Sequence, residues 1–155
     1  MSKNNTQLLQ TKIIDKELTY DLRKRVLWPH INNNDYTITV DNTASTFHLG
    51  TLINQKIISI GTFIQENNSE FKSKKQYRLR AMATDHNYQK IGAGKSLMLQ
   101  SFQLLKEKKI DILWCSARLK AIPFYRKLNM NSLEKTYHIT NIGPHQTMYI
   151  DLDMI

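Results

Sequence analysis

Tyr88-Gln89-Lys90-Ile91-Gly92-Ala93-Gly94-Lys95-Ser96 is the stretch that decides the fold. Before it, Tyr77, Leu79, Ala81 and Ala83 recur with a period of two, so Gln76 to Thr84 reads as a strand. After a turn at Asp85 to Tyr88, Ile91, Met98, Phe102 and Leu105 share a helical face that Leu97 and Leu104 widen. The stretch is therefore a strand–turn–helix junction. Its two glycines let the backbone approach a ligand closely and take conformations that other residues resist. The helix behind it offers unpaired N–H groups and the positive end of its dipole, which suits phosphate oxygens.

Three phosphate motifs compete for these residues. A Walker A loop is suggested by Gly94-Lys95-Ser96, but it needs a glycine where Gln89 stands. A dinucleotide fingerprint takes Gly92 and Gly94 as its first two glycines and then meets Leu97 in place of the third. The pattern Gln/Arg-x-x-Gly-x-Gly/Ala is satisfied completely by Gln89, Gly92 and Gly94. Taken alone it leaves one alternative open, a turn that uses glycine for packing.

Working outward, Lys12 to Ile14 reads as a short strand, and Leu18, Leu22 and Val26 fall on one helical face that Trp28-Pro29 ends. Ile31 to Ser45 is polar and reads as a loop. Phe47 to Ile53 and Lys56 to Ile64 read as strands turned at Asn54-Gln55. Lys106 to Lys109 closes the long helix with the charge its C-terminus prefers. Ile110 to Cys115 is nearly all apolar, as a strand covered on both sides would be. A helical stripe of Ala121, Phe124, Tyr125 and Leu128, with Pro123 in its first turn, precedes two closing strands, Leu133 to Ile139 and Thr147 to Leu152. The order β-α-β-β-β-α-β-α-β-β places the chain in the α/β or α+β class.

The 155 residues suit one domain spanning 1–155, with about the first six residues loose. No apolar run approaches a bilayer span, and Met1 to Gln10 lacks the apolar stretch of a secretory signal. Cys115 is the only cysteine, so no internal disulfide is expected and a cytoplasmic location follows. Neither it nor the five histidines shows metal-ligand spacing, so no metal is expected. The net charge of +9 suits anionic partners, but it is scattered over Arg23-Lys24-Arg25, Lys72 to Lys75 and Lys106 to Lys109. That scatter reads as solvated faces better than as a nucleic-acid footprint.

The glycine turn resembles the pyrophosphate-binding signature of the GCN5-related N-acetyltransferases (GNAT), and other segments resemble the same family in the same order. Leu79-Arg80-Ala81-Met82-Ala83-Thr84 is similar to its strand before the turn, Leu113-Trp114-Cys115-Ser116-Ala117-Arg118 to its next strand, and Phe124-Tyr125-Arg126-Lys127-Leu128-Asn129-Met130 to its Phe-Tyr-x-Lys-Leu-Gly-Phe segment. Tyr20 to Pro29, Thr46 to Gly50 and the stretch from Ile142 to Tyr149 resemble a small bacterial single-domain subgroup, so the similarity covers about Ile13 to Leu152. Asn129 stands where the family has glycine, a residue suited to a left-handed helix end. Ser116 stands where asparagine is common.

The resemblance implies a mixed, mostly antiparallel sheet of about seven strands flanked by helices on both faces. It implies an acetyl-CoA-dependent N-acetyltransferase acting on a primary amine of a small molecule or protein by direct attack in a ternary complex. Gln89 would open the cofactor-binding turn, backbone N–H groups of Lys90, Ile91, Gly92, Ala93, Gly94 and Lys95 would hold the pyrophosphate, and Met82, Ala83 and Thr84 the pantetheine arm. Tyr125 would be the general acid. His48, His145 and Arg80 are candidates to meet the acceptor, histidine because it titrates near neutrality. The other readings are a non-catalytic acetyl-CoA-binding module and a basic nucleic-acid-binding domain; a homodimer stays open.

Overall fold

The computed structural model describes residues 8–155, so the expected loose stretch, about residues 1–6, lies outside the described residues. Seven strands form one mixed sheet in the order β1-β2-β3-β4-β5-β7-β6. They are β1 (Gln10–Ile14), β2 (Phe47–Ile53), β3 (Lys56–Gln65), β4 (Gln76–Thr84), β5 (Ile112–Arg118), β6 (Asn131–Ile139) and β7 (Gly143–Asp151). β1–β2, β5–β7 and β6–β7 are antiparallel; β4–β5 is parallel and pairs only from Gln76↔Ile112 to Arg78↔Trp114. Asn54 and Gln55, with φ of 47° and 68°, make the two-residue turn between β2 and β3, both left-handed as a hairpin's twist demands.

Among the described residues short 3-10 turns stand at Thr39–Asn42, His86–Tyr88 and Leu152–Met154, and three segments contain α-helix. The first runs as a 3-10 turn (Lys16–Thr19), an α-turn, α1 (Tyr20–Leu22), and a π-type turn (Arg23–Leu27), ending at Trp28 before Pro29. Leu18, placed on its apolar face by periodicity, is instead 52% exposed, because the change of helical pitch rotates the face away. Helix α2 (Ala93–Glu107) buries Leu97, Met98, Phe102 and Leu105. Ile91 lies before it and is 48% exposed, so its place on that stripe is corrected: the helix starts later than the pattern. Short α3 (Ile122–Arg126) carries Pro123 in its first turn, and Asn129 follows at φ 67°, the left-handed end expected of it.

The chain groups into two compact units. The first holds residues up to Thr62 together with Ala81–Gln100; the second holds Phe63–Arg80 and Ser101–Ile155. The first unit contains an ionic core. Arg23, wholly buried, donates through Nη1 and Nη2 to the two carboxylate oxygens of Asp41 at 2.9 and 3.0 Å. The same guanidinium donates to the Tyr36 carbonyl and to Thr62 Oγ1, both at 2.8 Å. The second unit is centred on the apolar strands β5 and β7, with Leu113, Cys115, Met148 and Ile150 buried.

Candidate active site

The residues expected to bind the cofactor all lie in the first unit, on one continuous path from the end of β4 to the start of α2. Ala81 takes φ 53° inside β4, a left-handed break in a strand that turns the peptides after it. Sequence reading passed over it, because alanine carries no signal for positive φ. Ser59 Oγ donates to the Ala83 carbonyl at 3.2 Å and lies 3.0 Å from Thr84 Oγ1, which steadies the strand's last residues. Met82 and Thr84 are partly buried and Ala83 is buried.

Asp85 anchors the next loop. Its N–H donates to the Ile58 carbonyl at 2.8 Å, its Oδ1 accepts the Asn87 amide at 3.0 Å, and its Oδ2 accepts Arg25 Nη2 at 2.9 Å. The Asn87 amide bond, aided by Arg25, holds its carboxyl below the ordinary 3.8 against the opposing effect of burial.

The glycine turn then rises into solvent. Lys90 has φ 64° and Gly92 φ 90°, and Gln89, Lys90, Ile91, Gly92 and Lys95 are exposed. The first bond of the helix joins Ser96 N–H to the Gly92 carbonyl at 2.9 Å. The amides of Ala93, Gly94 and Lys95 therefore stand ahead of any carbonyl the helix could give them. The turn's inner side is pinned: Ala93 packs on Ile53 and Ile58, and Thr51 Oγ1 donates to the Ala93 carbonyl at 3.2 Å. Thr11 Oγ1 bridges Thr51 Oγ1 and Ser96 Oγ, 2.8 Å from each. Amides that the helix leaves without acceptors, on a braced base at a helix N-terminus, suit an anion, although Ala93 itself is 2% exposed.

His48 sits elsewhere in this unit, in the ionic core. It is 5% exposed, its Nδ1 is 2.9 Å from Thr62 Oγ1, and its Nε2 is 4.0 Å from Asp41 Oδ1. Burial lowers its pKa below 6.5, outweighing the attraction of Asp41, while Arg23 adds to the lowering. A depressed histidine costs the folded state stability as pH falls below 6.5, because the unfolded chain binds the proton first. Wild type should thus lose urea stability between pH 7 and 5. His48→Gln should flatten that limb; equal slopes in the two proteins would remove His48 as its source.

The other candidates lie in the second unit. Tyr125, on α3, is 8% exposed, and its O–H donates to the sulfur of Cys115. Burial, joined by Cys115, raises the phenol well above 10.0, so it keeps its proton at working pH. The Cys115 thiol is pushed up to about 12, chiefly by burial, and is inert as a nucleophile. His145 is buried; its Nδ1 donates to the Gly143 carbonyl at 2.8 Å, which leaves Nε2 as the ring's accepting nitrogen. Arg80 is partly buried on β4. Among the described residues no group of three or more His, Cys, Asp or Glu is placed to hold a metal ion, and no helix is long and apolar enough to cross a membrane.

The family model described as Acetyltransferase (GNAT) family matches residues 13–130. The chain is 33% identical over 142 residues to the N-acetyltransferase YitI of Bacillus subtilis (strain 168), itself uncharacterised, covering 92% of this chain and 95% of the relative. Among solved structures, Escherichia coli ElaA superposes with a TM-score of 0.75 at 12% identity, over 93% of this chain and 100% of its own. An aminoglycoside 6'-N-acetyltransferase complexed with coenzyme A superposes with a TM-score of 0.74 at 9% identity, over 92% and 97%. At those identities the two structures establish the shared fold.

Proposed function

Because this chain belongs to the GNAT acetyltransferase family, and so is an acyltransferase that uses acetyl-CoA, we propose that it passes the acetyl group to a primary amine by direct attack in a ternary complex. The observation that carries this reading is the exposed turn at Gly92, with the amides of Ala93, Gly94 and Lys95 unclaimed by the helix behind it. The donor set fits a diphosphate: amides at a helix N-terminus, flanked by the exposed Lys90 and Lys95. Met82, Ala83 and Thr84 supply strand backbone for the pantetheine arm, and a backbone N–H near Ala83, beyond the break at Ala81, would polarise the thioester carbonyl.

Holding amine and thioester in attack geometry contributes about 7–11 kcal/mol in well-oriented systems, so alignment is the enzyme's main work. The new C–N bond forms as the C–S bond breaks. The attacking amine must be neutral, and its surplus proton leaves to water or to His145 Nε2. Tyr125 returns a proton to the departing sulfur. Burial makes it a weaker acid than a free phenol, so it shares that proton with sulfur only in the transition state, as negative charge builds there.

Tyr125→Phe should lower kcat by at least about tenfold, general acid–base catalysis contributing about 100- to 10,000-fold in typical cases. CoA affinity should stay nearly unchanged. Thiol release and calorimetry read the two quantities separately, and an unaltered kcat removes Tyr125 from the mechanism. The proposal as a whole is tested by titrating the protein with CoA; no association by calorimetry ends it.

A further inference from the structure

The second unit holds a cavity of about 390 Å³ whose lining includes Arg78 of β4, Trp114 and Ser116 of β5, Lys135 and Tyr137 of β6 and Thr147 of β7. Arg78 and Trp114 are register partners, and the guanidinium lies over the indole, 4.8 Å from the ring centroid. This guanidinium is short of acceptors. Nη1 has Glu66 Oε2 at 2.9 Å, Nη2 reaches Ser116 Oγ only at 3.5 Å, and Nε is buried without a partner among the described residues. A planar fork with one good bond leaves most of its N–H donors unanswered.

The hydroxyls point the same way. Tyr137 donates its O–H to Ser116 Oγ at 2.7 Å, so the Ser116 proton remains to be given to something else. The carboxylates near the cavity are its outer members: the side chains of Glu66 and Glu70 are 41% and 48% exposed, against 24% for Arg78, and Glu70 is engaged by Lys135 at 3.3 Å. Arg78 is thus the most enclosed of these charged groups, while Lys135, at 73%, stands with the carboxylates in solvent.

We infer that this cavity is the acceptor pocket and that it takes an amine bearing a carboxylate, which Arg78 and Ser116 bind through its oxygens. The inference rests on the acetyl-transfer reading above and names its substrate class. The carboxylate completes the Arg78 fork, and the rim carboxylates favour the amine end of the same molecule, so an α-amino acid or its close analogue fits both. Trp114 and Tyr137 give it flat apolar walls.

Calorimetry with the common α-amino acids, each binder compared with its carboxamide, reads the pocket directly, because the amide keeps the amine and loses the carboxylate. Thiol release from acetyl-CoA with the same amines reads transfer. At least one amino acid should be preferred over its amide by about tenfold or more, the value of a charged hydrogen bond, in both Kd and kcat/KM. Arg78→Gln, which keeps a long planar side chain on Trp114, should abolish the preference and leave CoA affinity unchanged. No binding by any amino acid, equal binding of acids and amides, or a preference that survives Arg78→Gln overturns the inference. The wild-type acid-to-amide comparison decides even if the variant does not fold. CoA binding with no thiol release from any amine instead defeats the transfer reading, while calorimetry still judges the pocket.

Discussion

Asp41→Ala should destabilise the protein by about 3–5 kcal/mol, the loss expected when one partner of a buried ion pair is removed. The Arg23 side chain is 0% exposed and that of Asp41 2%. The pair is bidentate, and Asp41 Oδ2 also accepts the Ile38 amide at 2.8 Å. Without the carboxylate, a guanidinium stays buried with the Tyr36 carbonyl and Thr62 hydroxyl as its hydrogen-bond acceptors among the described residues. The exposed pair Arg25–Asp21 is the internal control: Asp21→Ala should cost no more than about 0.5 kcal/mol. Urea midpoints at pH 7 separate the two. Burial raises the Asp41 pKa, but the Arg23 and Ile38 hydrogen bonds win and the net value lies below 3.8. Its contribution is therefore complete above that pH and is lost as pH falls through the folded value. Wild type should show an acid limb there that Asp41→Asn lacks. A small loss at pH 7 for Asp41→Ala would mean that water reaches Arg23.

This ion pair also shows where the sequence falls silent. Arg23-Lys24-Arg25 reads as a basic surface run, yet Arg23 is core and Arg25 reaches the buried Asp85. A run of charge reports sign, while the partners that bury it stand 18 and 60 residues away. Strand β4 was legible from Gln76 to Thr84 because its apolar positions alternate, and the Asn54-Gln55 turn because it separates two such runs. The placing of β7 between β5 and β6 leaves no trace in local periodicity, since either closing strand could border β5. In the candidate site the split follows backbone chemistry. Gly92 announces its left-handed φ, whereas Ala81 adopts one with a residue type that gives no hint of it. The cavity around Arg78 joins residues from four strands, and only the sheet order brings them to one place.

Gly92→Val should weaken CoA binding by up to about 100-fold while the fold survives. At φ 90° a β-branched residue is strained whatever space surrounds it, and the nearest atom to an added Cβ, Leu9 Cδ1, is 3.9 Å away, so the penalty lies in the backbone. Strain of this kind is worth about 1–3 kcal/mol. An exposed turn relieves it by rotating, and rotation takes the amides of Ala93, Gly94 and Lys95 off the phosphate oxygens. Gly143→Val is the matched control. Gly143, the first residue of β7, has φ 118° and open space around its Cβ position, so it carries a similar conformational penalty. Both variants should lower the melting temperature, but only Gly92→Val should raise the Kd for CoA. If calorimetry finds the two equally able to bind CoA, the turn is a packing turn and the diphosphate is held elsewhere.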